Sequence, residues 1–146
     1  MYIASEHIQQ WVRTGEAKVV SDAVASQLGE YLDHLPWLPS GNGLDWGVMK
    51  GNQADLSTLT EEQQFDWLRT TPMGGDPFLV FLYVADQPCI VCDMKFAISN
   101  IDQAFWKAPG KRYVFGASLR NGVIEPVMPH FAEYDQTGIL TVAQLP

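Results

Sequence analysis

The chain has 146 residues, of which 47% are hydrophobic, and a chain of this length and composition can bury one sizeable core without disulfides or metal ions. Asp and Glu number 17 against 9 Lys and Arg, so the formal charge is -8 and the surface repels phosphate backbones and anionic lipids. Nucleic acids and membranes are therefore disfavoured as partners, and a basic protein is favoured.

The first residues of the chain bear on its location. Residues 1–8 lack the basic segment and the long apolar core of a secretion signal, and no apolar run reaches the roughly 20 residues that a membrane span needs. We therefore expect a cytoplasmic protein. In that compartment the two cysteines of the chain should be reduced thiols rather than a stapling disulfide.

The first quarter of the chain predicts two helices. Ser5 can cap a short amphipathic helix, and Gly15 is placed to end it. A longer helix follows over residues 20–35, where apolar residues recur at spacings of three and four. The polar side of this second helix carries the acids Glu30 and Asp33.

A long loop and a third helix come next. Residues 36–53 are rich in Gly, Pro and Asn, which indicates a loop with at most one short strand. Thr60 and Gln63 form a capping-box pattern, in which each side chain accepts a hydrogen bond from the backbone amide of the other, so a helix should begin there. Gly74–Pro77 then marks a junction at which the pattern changes from helical to extended.

The second half of the chain predicts a sheet. Phe78–Val84 is apolar on both faces, as in a central strand covered on both sides, and Cys89–Met94 is expected to be its neighbour. After a short helix, extended runs flank Asn121-Gly122, which is a strong hairpin signal, and a last pair of strands flanks Gly138.

Together these elements predict one α+β domain that spans residues 1–146. Its N-terminal half, about 1–75, supplies helices, and these pack on a largely antiparallel sheet from the C-terminal half, about 76–146. No internal repeat or heptad pattern indicates a second domain.

Two cysteines stand at a chemically suggestive spacing, Cys89-Ile-Val-Cys92, directly after the predicted central strand. A strand followed by Cys-x-x-Cys resembles the thioredoxin family, and Met128–Pro129 lies about where that family has its cis-proline. The resemblance implies a thiol–disulfide oxidoreductase in which Cys89 is the nucleophile at a helix N-terminus. The residues themselves favour packing, because the β-branched Ile90 and Val91 suit a strand, in which Cys89 and Cys92 point to opposite faces.

Other titratable groups offer further candidates. His130 and Glu133 could act as an acid–base pair, but in a strand they fall on opposite faces. Lys107, Lys111 and Arg112 could hold an anion, although no glycine-rich phosphate loop accompanies them. With no second Cys-x-x-Cys and no His pair at ligand spacing, no metal site is predicted, and we expect no cofactor.

The remaining candidate is a loop that carries two tryptophans. Trp37 and Trp46, with Asp45 beside the latter, follow the helix that carries Glu30 and Asp33. Trp next to carboxylates is typical of a binding surface for a basic protein, because the indole anchors the partner and the acids steer the encounter. Both indoles could instead pack the loop onto the core.

We therefore expect a non-enzymatic protein-binding module, comparable in size and charge to bacterial immunity or antitoxin proteins that mask a basic partner. An alternative function is a thiol oxidoreductase that uses Cys89 and Cys92, and a third is a small-molecule-binding or sensing domain. Each function makes a different demand on the structure: an exposed acidic surface, a reactive thiol at a helix N-terminus, or an apolar pocket between the helices and the sheet.

Overall fold

The computed structural model describes residues 6–41, 43–83, 88–105, 112–135 and 137–144 of the chain, and these residues form both helices and strands. The helices are α1 (Glu6–Thr14), α2 (Asp22–Asp33), α3 (Glu61–Leu68), α4 (Met94–Ser99) and α5 (Ile101–Ala104). The strands are β1 (Ala17–Val19), β2 (Gly51–Asp55), β3 (Phe78–Leu82), β4 (Ile90–Asp93), β5 (Arg112–Arg120), β6 (Val123–Tyr134) and β7 (Ile139–Ala143). Short 3-10 turns at Leu56–Thr58 and Pro72–Gly75 precede α3 and β3.

The described strands form one antiparallel sheet in the order β1-β4-β3-β5-β6-β7-β2. This arrangement confirms the predicted α+β fold with its antiparallel sheet. As predicted, the apolar strand β3 lies inside the sheet, between β4 and β5, although Val84 itself is outside the described residues. The register joins Leu79 to Cys92 and Val80 to Val91, so the segment that contains the two cysteines is a neighbouring strand.

Both edges of the sheet come from the first half of the chain, for which the sequence predicts mainly helices. β1 (Ala17–Val19) pairs with β4, and β2 (Gly51–Asp55) pairs with β7. Three residues are too few to show a strand period, and Gly-Asn-Gln-Ala-Asp has low strand propensity. Pairing with the rest of the sheet therefore decides both edge strands, and the two halves of the chain are interleaved.

The sheet buries one core on each face. On the first face, α1, α3, α4 and α5 cover a cluster that includes Leu79 and Phe81 of β3. On the second face, α2 and the residues that follow it cover a cluster that includes Val80 and Leu82 of the same strand. Because alternate residues of β3 enter different cores, this strand is apolar throughout.

Side-chain caps begin several of the helices, and the cap of α3 is the predicted one. The Ser21 hydroxyl accepts a hydrogen bond from the Val24 amide at the start of α2, and Thr60 and Gln63 form the predicted capping box at α3. Helix α4 is an addition to the predicted elements. The Asp93 carboxylate accepts from the Lys95 amide, and this bond starts the helix directly after β4.

The β5–β6 hairpin turns at Asn121-Gly122, as predicted. Both residues have positive φ, 52° and 80°, which is the combination that a type I′ turn requires. β6 is one strand of 12 residues, whereas the sequence predicts two separate runs in this region. A shift in the β5–β6 register next to Gly116 interrupts the ladder, so the two proline residues of β6 are tolerated in the strand.

Candidate functional site

The acids predicted for partner binding lie on the outer side of α2. Glu30 and Asp33 are exposed, while Leu28 and Leu32 of the same helix are buried against the second face of the sheet. The buried residues are four apart and the two acids lie on the opposite side of the helix. We call this side, with its carboxylates directed to solvent, the acidic face of α2.

Trp37 fastens the segment after α2 to the end of that helix. Its indole N–H donates a hydrogen bond of 2.8 Å to the carbonyl oxygen of Leu32, one of the last carbonyls of α2. The indole ring packs edge-on against Tyr113, with 5.9 Å between ring centroids. Trp37 is therefore half-buried and its polar atom is already bonded inside the protein.

Trp46 fastens the other end of the same segment, residues 36–50, which we call the α2–β2 loop. Its indole N–H donates to Oε1 of Glu133 at 3.3 Å, and its ring contacts Phe131 on the second face of the sheet. The other carboxylate oxygen of Glu133 accepts from the Tyr113 hydroxyl at 2.9 Å and from the Leu44 amide at 3.4 Å. One strand carboxylate thus joins the loop to the sheet through three donors.

The environment of Tyr113 keeps this network in one protonation state. Burial, followed by the charge and the hydrogen bond of the Glu133 carboxylate, raises the pKa of Tyr113 far above its ordinary value. The phenol therefore stays protonated and donates to Glu133 across the physiological pH range.

Asp45 has a local role, because its Oδ1 accepts from the Gly47 amide at 3.1 Å and closes a tight turn of the loop.

The α2–β2 loop presents two aliphatic side chains that the sequence analysis does not single out. Leu38 is 41% exposed and Val48 is 66% exposed, whereas both tryptophans are half-buried. A bridge pairs Trp37 with Leu44, and alternation along this short extended segment directs Trp37 inward and Leu38 outward. Of the predicted residues, the helix acids Glu30 and Asp33 therefore face outward and the two indoles face inward. A period of two along the loop could have indicated the inward position of Trp37.

The two thiols are held apart by the sheet. Cys92 is buried in the cluster on the first face, and Cys89 is buried in the cluster on the second face. The Cys89 carbonyl accepts from the Val20 amide at 2.8 Å, so Cys89 continues the strand and does not open a helix. The geometry predicted for a strand is therefore present, and the thioredoxin-like alternative finds no support in it.

Burial also makes both thiols poor nucleophiles. It raises the pKa of Cys92 to about 12, with smaller contributions from the charges of Glu16 and Asp93. It raises the pKa of Cys89 as well, although a backbone hydrogen bond at Tyr83 opposes the shift. Since the thiolate is the reactive form, neither group is suited to nucleophilic attack near neutral pH.

We expect iodoacetamide to alkylate Cys89 and Cys92 in the native protein much more slowly than it alkylates a free cysteine at the same pH. The raised pKa values and the burial both reduce access to a thiolate. Intact-mass spectrometry of timed samples measures the reaction, and a urea-unfolded sample is the control in which both thiols react. Rapid labelling of one native thiol would contradict this assignment.

A buried ionisable pair lies near the bulge in β6, and the sequence analysis does not predict it. The imidazole Nδ1 of His130 lies 2.7 Å from Oδ2 of Asp76, and their side chains are 19% and 9% exposed. Burial raises the pKa of the Asp76 carboxyl, while the hydrogen bond and charge of His130 act in the opposite direction. His130 thus pairs with Asp76, whereas Glu133 joins the loop network. The candidate acid–base pair of His130 and Glu133, which a strand was expected to separate, is not formed.

A glycine makes room for the Asp76 carboxylate. A Cβ atom at Gly116 would lie 1.9 Å from Oδ2 of Asp76 and 2.8 Å from its Cγ. The register of β5 and β6 shifts at this position. Phe115 pairs with Phe131, while Ala117 pairs with Pro126 on the other side of the bulge. Gly inside a strand pattern is a signal for such a close approach, and it could have drawn attention to this point of the chain.

Several sequence candidates remain without a described environment. Lys107 and Lys111 of the suggested anion site lie outside the described residues, and Arg112 is half-buried in β5. Among the described residues, no group of three or more His, Cys, Asp or Glu side chains is arranged to hold a metal ion. None of the described helices combines the length and the hydropathy that crossing a membrane requires.

Comparison with known proteins gives no relative that could assign the site. No protein-family model matches the chain, and no curated protein matches it with significant similarity. The function is therefore argued from the residues and their geometry alone.

Proposed function

We propose that this protein is a non-enzymatic binding module that recognises a basic protein through the acidic face of α2 and the adjoining α2–β2 loop. The observation that carries the proposal is the exposure of Glu30 and Asp33 on a helix whose opposite side is firmly packed. The chain has 17 acids against 9 bases, and this surplus attracts a cationic partner over a distance.

The apolar contacts of this surface come from the loop. Leu38 follows Trp37, which is bonded to the last turn of α2. Val48 lines the same groove as Tyr31 of that helix and Leu35 just after it. Exposed aliphatic groups beside carboxylates suit an interface in which the apolar groups make the buried contacts and the charges attract and orient the partner as it approaches. Trp37 and Trp46 support the surface from beneath and so reduce the entropy that binding must overcome.

The activity that fits this arrangement is the masking of a basic protein, as bacterial immunity and antitoxin proteins mask nucleases. Such a function needs a rigid, charged and exposed surface and makes no demand for a nucleophile or a metal. The buried, weakly acidic thiols are consistent with it.

A charge-matched pair of variants tests the proposal. The E30Q/D33N variant removes two charges from the acidic face of α2, and the E61Q/E62Q variant removes two exposed charges from α3 on the other side of the sheet. Each variant is immobilised and used to capture proteins from a bacterial lysate at about 20 mM and about 300 mM salt, because screening separates charge-driven binding from other contacts.

We expect the unmodified protein to recover a basic protein at low salt, with much weaker recovery at high salt. The E30Q/D33N variant should lose about tenfold in affinity for that protein, and the E61Q/E62Q variant should retain it. Equal losses in both variants would mean that net charge alone is responsible, and recovery of nothing basic at low salt would argue against the function itself.

A further inference from the structure

A groove of about 490 Å³ lies beside the acidic face of α2, on the second face of the sheet. It is lined by Tyr31 of α2, by Leu35 just after that helix, by Met49 and Lys50 of the α2–β2 loop, and by Phe131 of β6. This volume is in the range of small-molecule sites, which are mostly apolar with a few polar groups that orient the ligand. The groove has this composition.

Two aromatic residues, Tyr31 and Phe131, are among the apolar residues that line the groove. Tyr31 packs edge-on against Phe131, with 5.9 Å between the ring centroids, and Phe131 is itself only 4% exposed. Met49 is half-buried on the loop side, where its flexible side chain can adapt to a ligand. These residues suit a compact hydrocarbon or aromatic group.

Two hydrogen-bond donors line the groove, together with Gln144, whose side-chain amide can both donate and accept. Lys50 contributes an ammonium group and is exposed at the groove. Among the described residues, the Tyr31 hydroxyl forms no hydrogen bond, so it is available as a second donor. Burial raises the pKa of Tyr31, which keeps the phenol protonated. A charged donor and a neutral donor that line the same groove favour an anionic ligand group.

The backbone of Lys50 supplies an independent observation. Its φ is 59°, a left-handed conformation that costs about 1 to 2 kcal/mol for a residue with a Cβ atom. The neighbouring chain holds it there, because its amide donates to the Trp46 carbonyl at 3.3 Å and its carbonyl accepts from the Gln144 amide at 3.2 Å. Gly or Asn would adopt this conformation more easily, so a lysine here indicates a function for its side chain.

We propose that this groove binds a small apolar carboxylic acid, with the hydrocarbon part on Tyr31 and Phe131 and the carboxylate at the Lys50 ammonium and the Tyr31 hydroxyl. The groove adjoins the protein-binding surface proposed above and shares Tyr31 and Leu35 with it, but the test below does not depend on that function. The net charge of -8 does not exclude an anion, because salt screens charges beyond about 8 Å at physiological ionic strength while the contact with Lys50 remains.

The test uses the full chain and three probes that share one hydrocarbon part: 4-phenylbutyrate, 4-phenylbutan-1-ol and 4-phenylbutylamine. Each probe is titrated into isotopically labelled protein, and the backbone amide resonances are followed by NMR. We expect 4-phenylbutyrate to shift the amides of Tyr31, Met49, Lys50 and Phe131, and the alcohol and the amine to bind more weakly.

Two lysine variants separate the groove from general attraction of anions. K50Q removes the charge but keeps the Cβ atom, so the left-handed backbone conformation at residue 50 is equally strained in the variant. The variant should bind 4-phenylbutyrate about five- to tenfold more weakly and should bind the alcohol as before. K18Q removes a lysine that lines a different apolar groove and should leave the affinity unchanged. Equal affinity for the three probes, equal effects of the two variants, or no shifted resonances would each overturn the proposal.

Discussion

Replacing Gly116 by alanine is expected to destabilise the protein by about 3 kcal/mol, because the new methyl group would displace the Asp76 carboxylate from His130. A Cβ at this position would lie 1.9 Å from Oδ2 and 3.2 Å from the Cβ atom of Asp76, so the carboxylate must rotate away and the Asp76 Cβ must also move. Leaving a buried carboxylate without its hydrogen-bond partner costs about 1 to 3 kcal/mol or more, and the crowding adds to this cost.

Urea unfolding measures this loss for G116A, and G75A is the matched control. A Cβ at Gly75 would meet nothing within 4 Å, and that residue is exposed, so G75A should stay within about 0.5 kcal/mol of the unmodified protein. Domains are commonly stable by about 5 to 15 kcal/mol, so G116A should still fold and give a measurable transition. A G116A protein as stable as G75A would show that the Asp76–His130 pair contributes little.

Replacing Glu133 by alanine is expected to cost about 2 to 3 kcal/mol and to loosen the α2–β2 loop. The change removes the acceptor of the buried Tyr113 hydroxyl, and it also releases the Trp46 indole and the Leu44 amide. A buried donor without an acceptor carries its full desolvation penalty, which is the largest part of the expected loss.

The E125A variant is the control for E133A, because Glu125 is exposed on the same strand. It should unfold within about 0.5 kcal/mol of the unmodified protein. Tryptophan fluorescence adds a local measurement, since the Trp46 indole becomes more exposed when its bond to Glu133 is lost. Unchanged stability and emission in E133A would mean that the carboxylate does not hold the loop.

Much of the fold could be predicted because its signals are local in the chain. The capping box at Thr60 and Gln63, the Asn121-Gly122 turn and the positive φ at Gly138 each depend on neighbouring residues. The apolar run of β3 is likewise readable, since both of its faces are buried. These features determine the class of fold and the position of the central strands.

The edge strands and α4 could not be read in the same way. Ala17–Val19 and Gly51–Asp55 have little strand character of their own, and each is extended because it bonds to β4 or β7. Tertiary context commonly overrides weak local preference in this manner. For that reason the sheet also includes two edge strands from the first half of the chain.

The sequence by itself determined the acidity of the chain, the α+β class and the separation of Cys89 from Cys92, because composition and a period of two are properties of the chain alone. Only the tertiary structure decided which polar groups meet. Asp76 and His130 are 54 positions apart, and Trp46 and Glu133 are 87 apart. Pairing of β3 and β6 with β5 brings Asp76 to His130, and packing of the α2–β2 loop on the sheet brings Trp46 to Glu133. No spacing in the sequence indicates either contact.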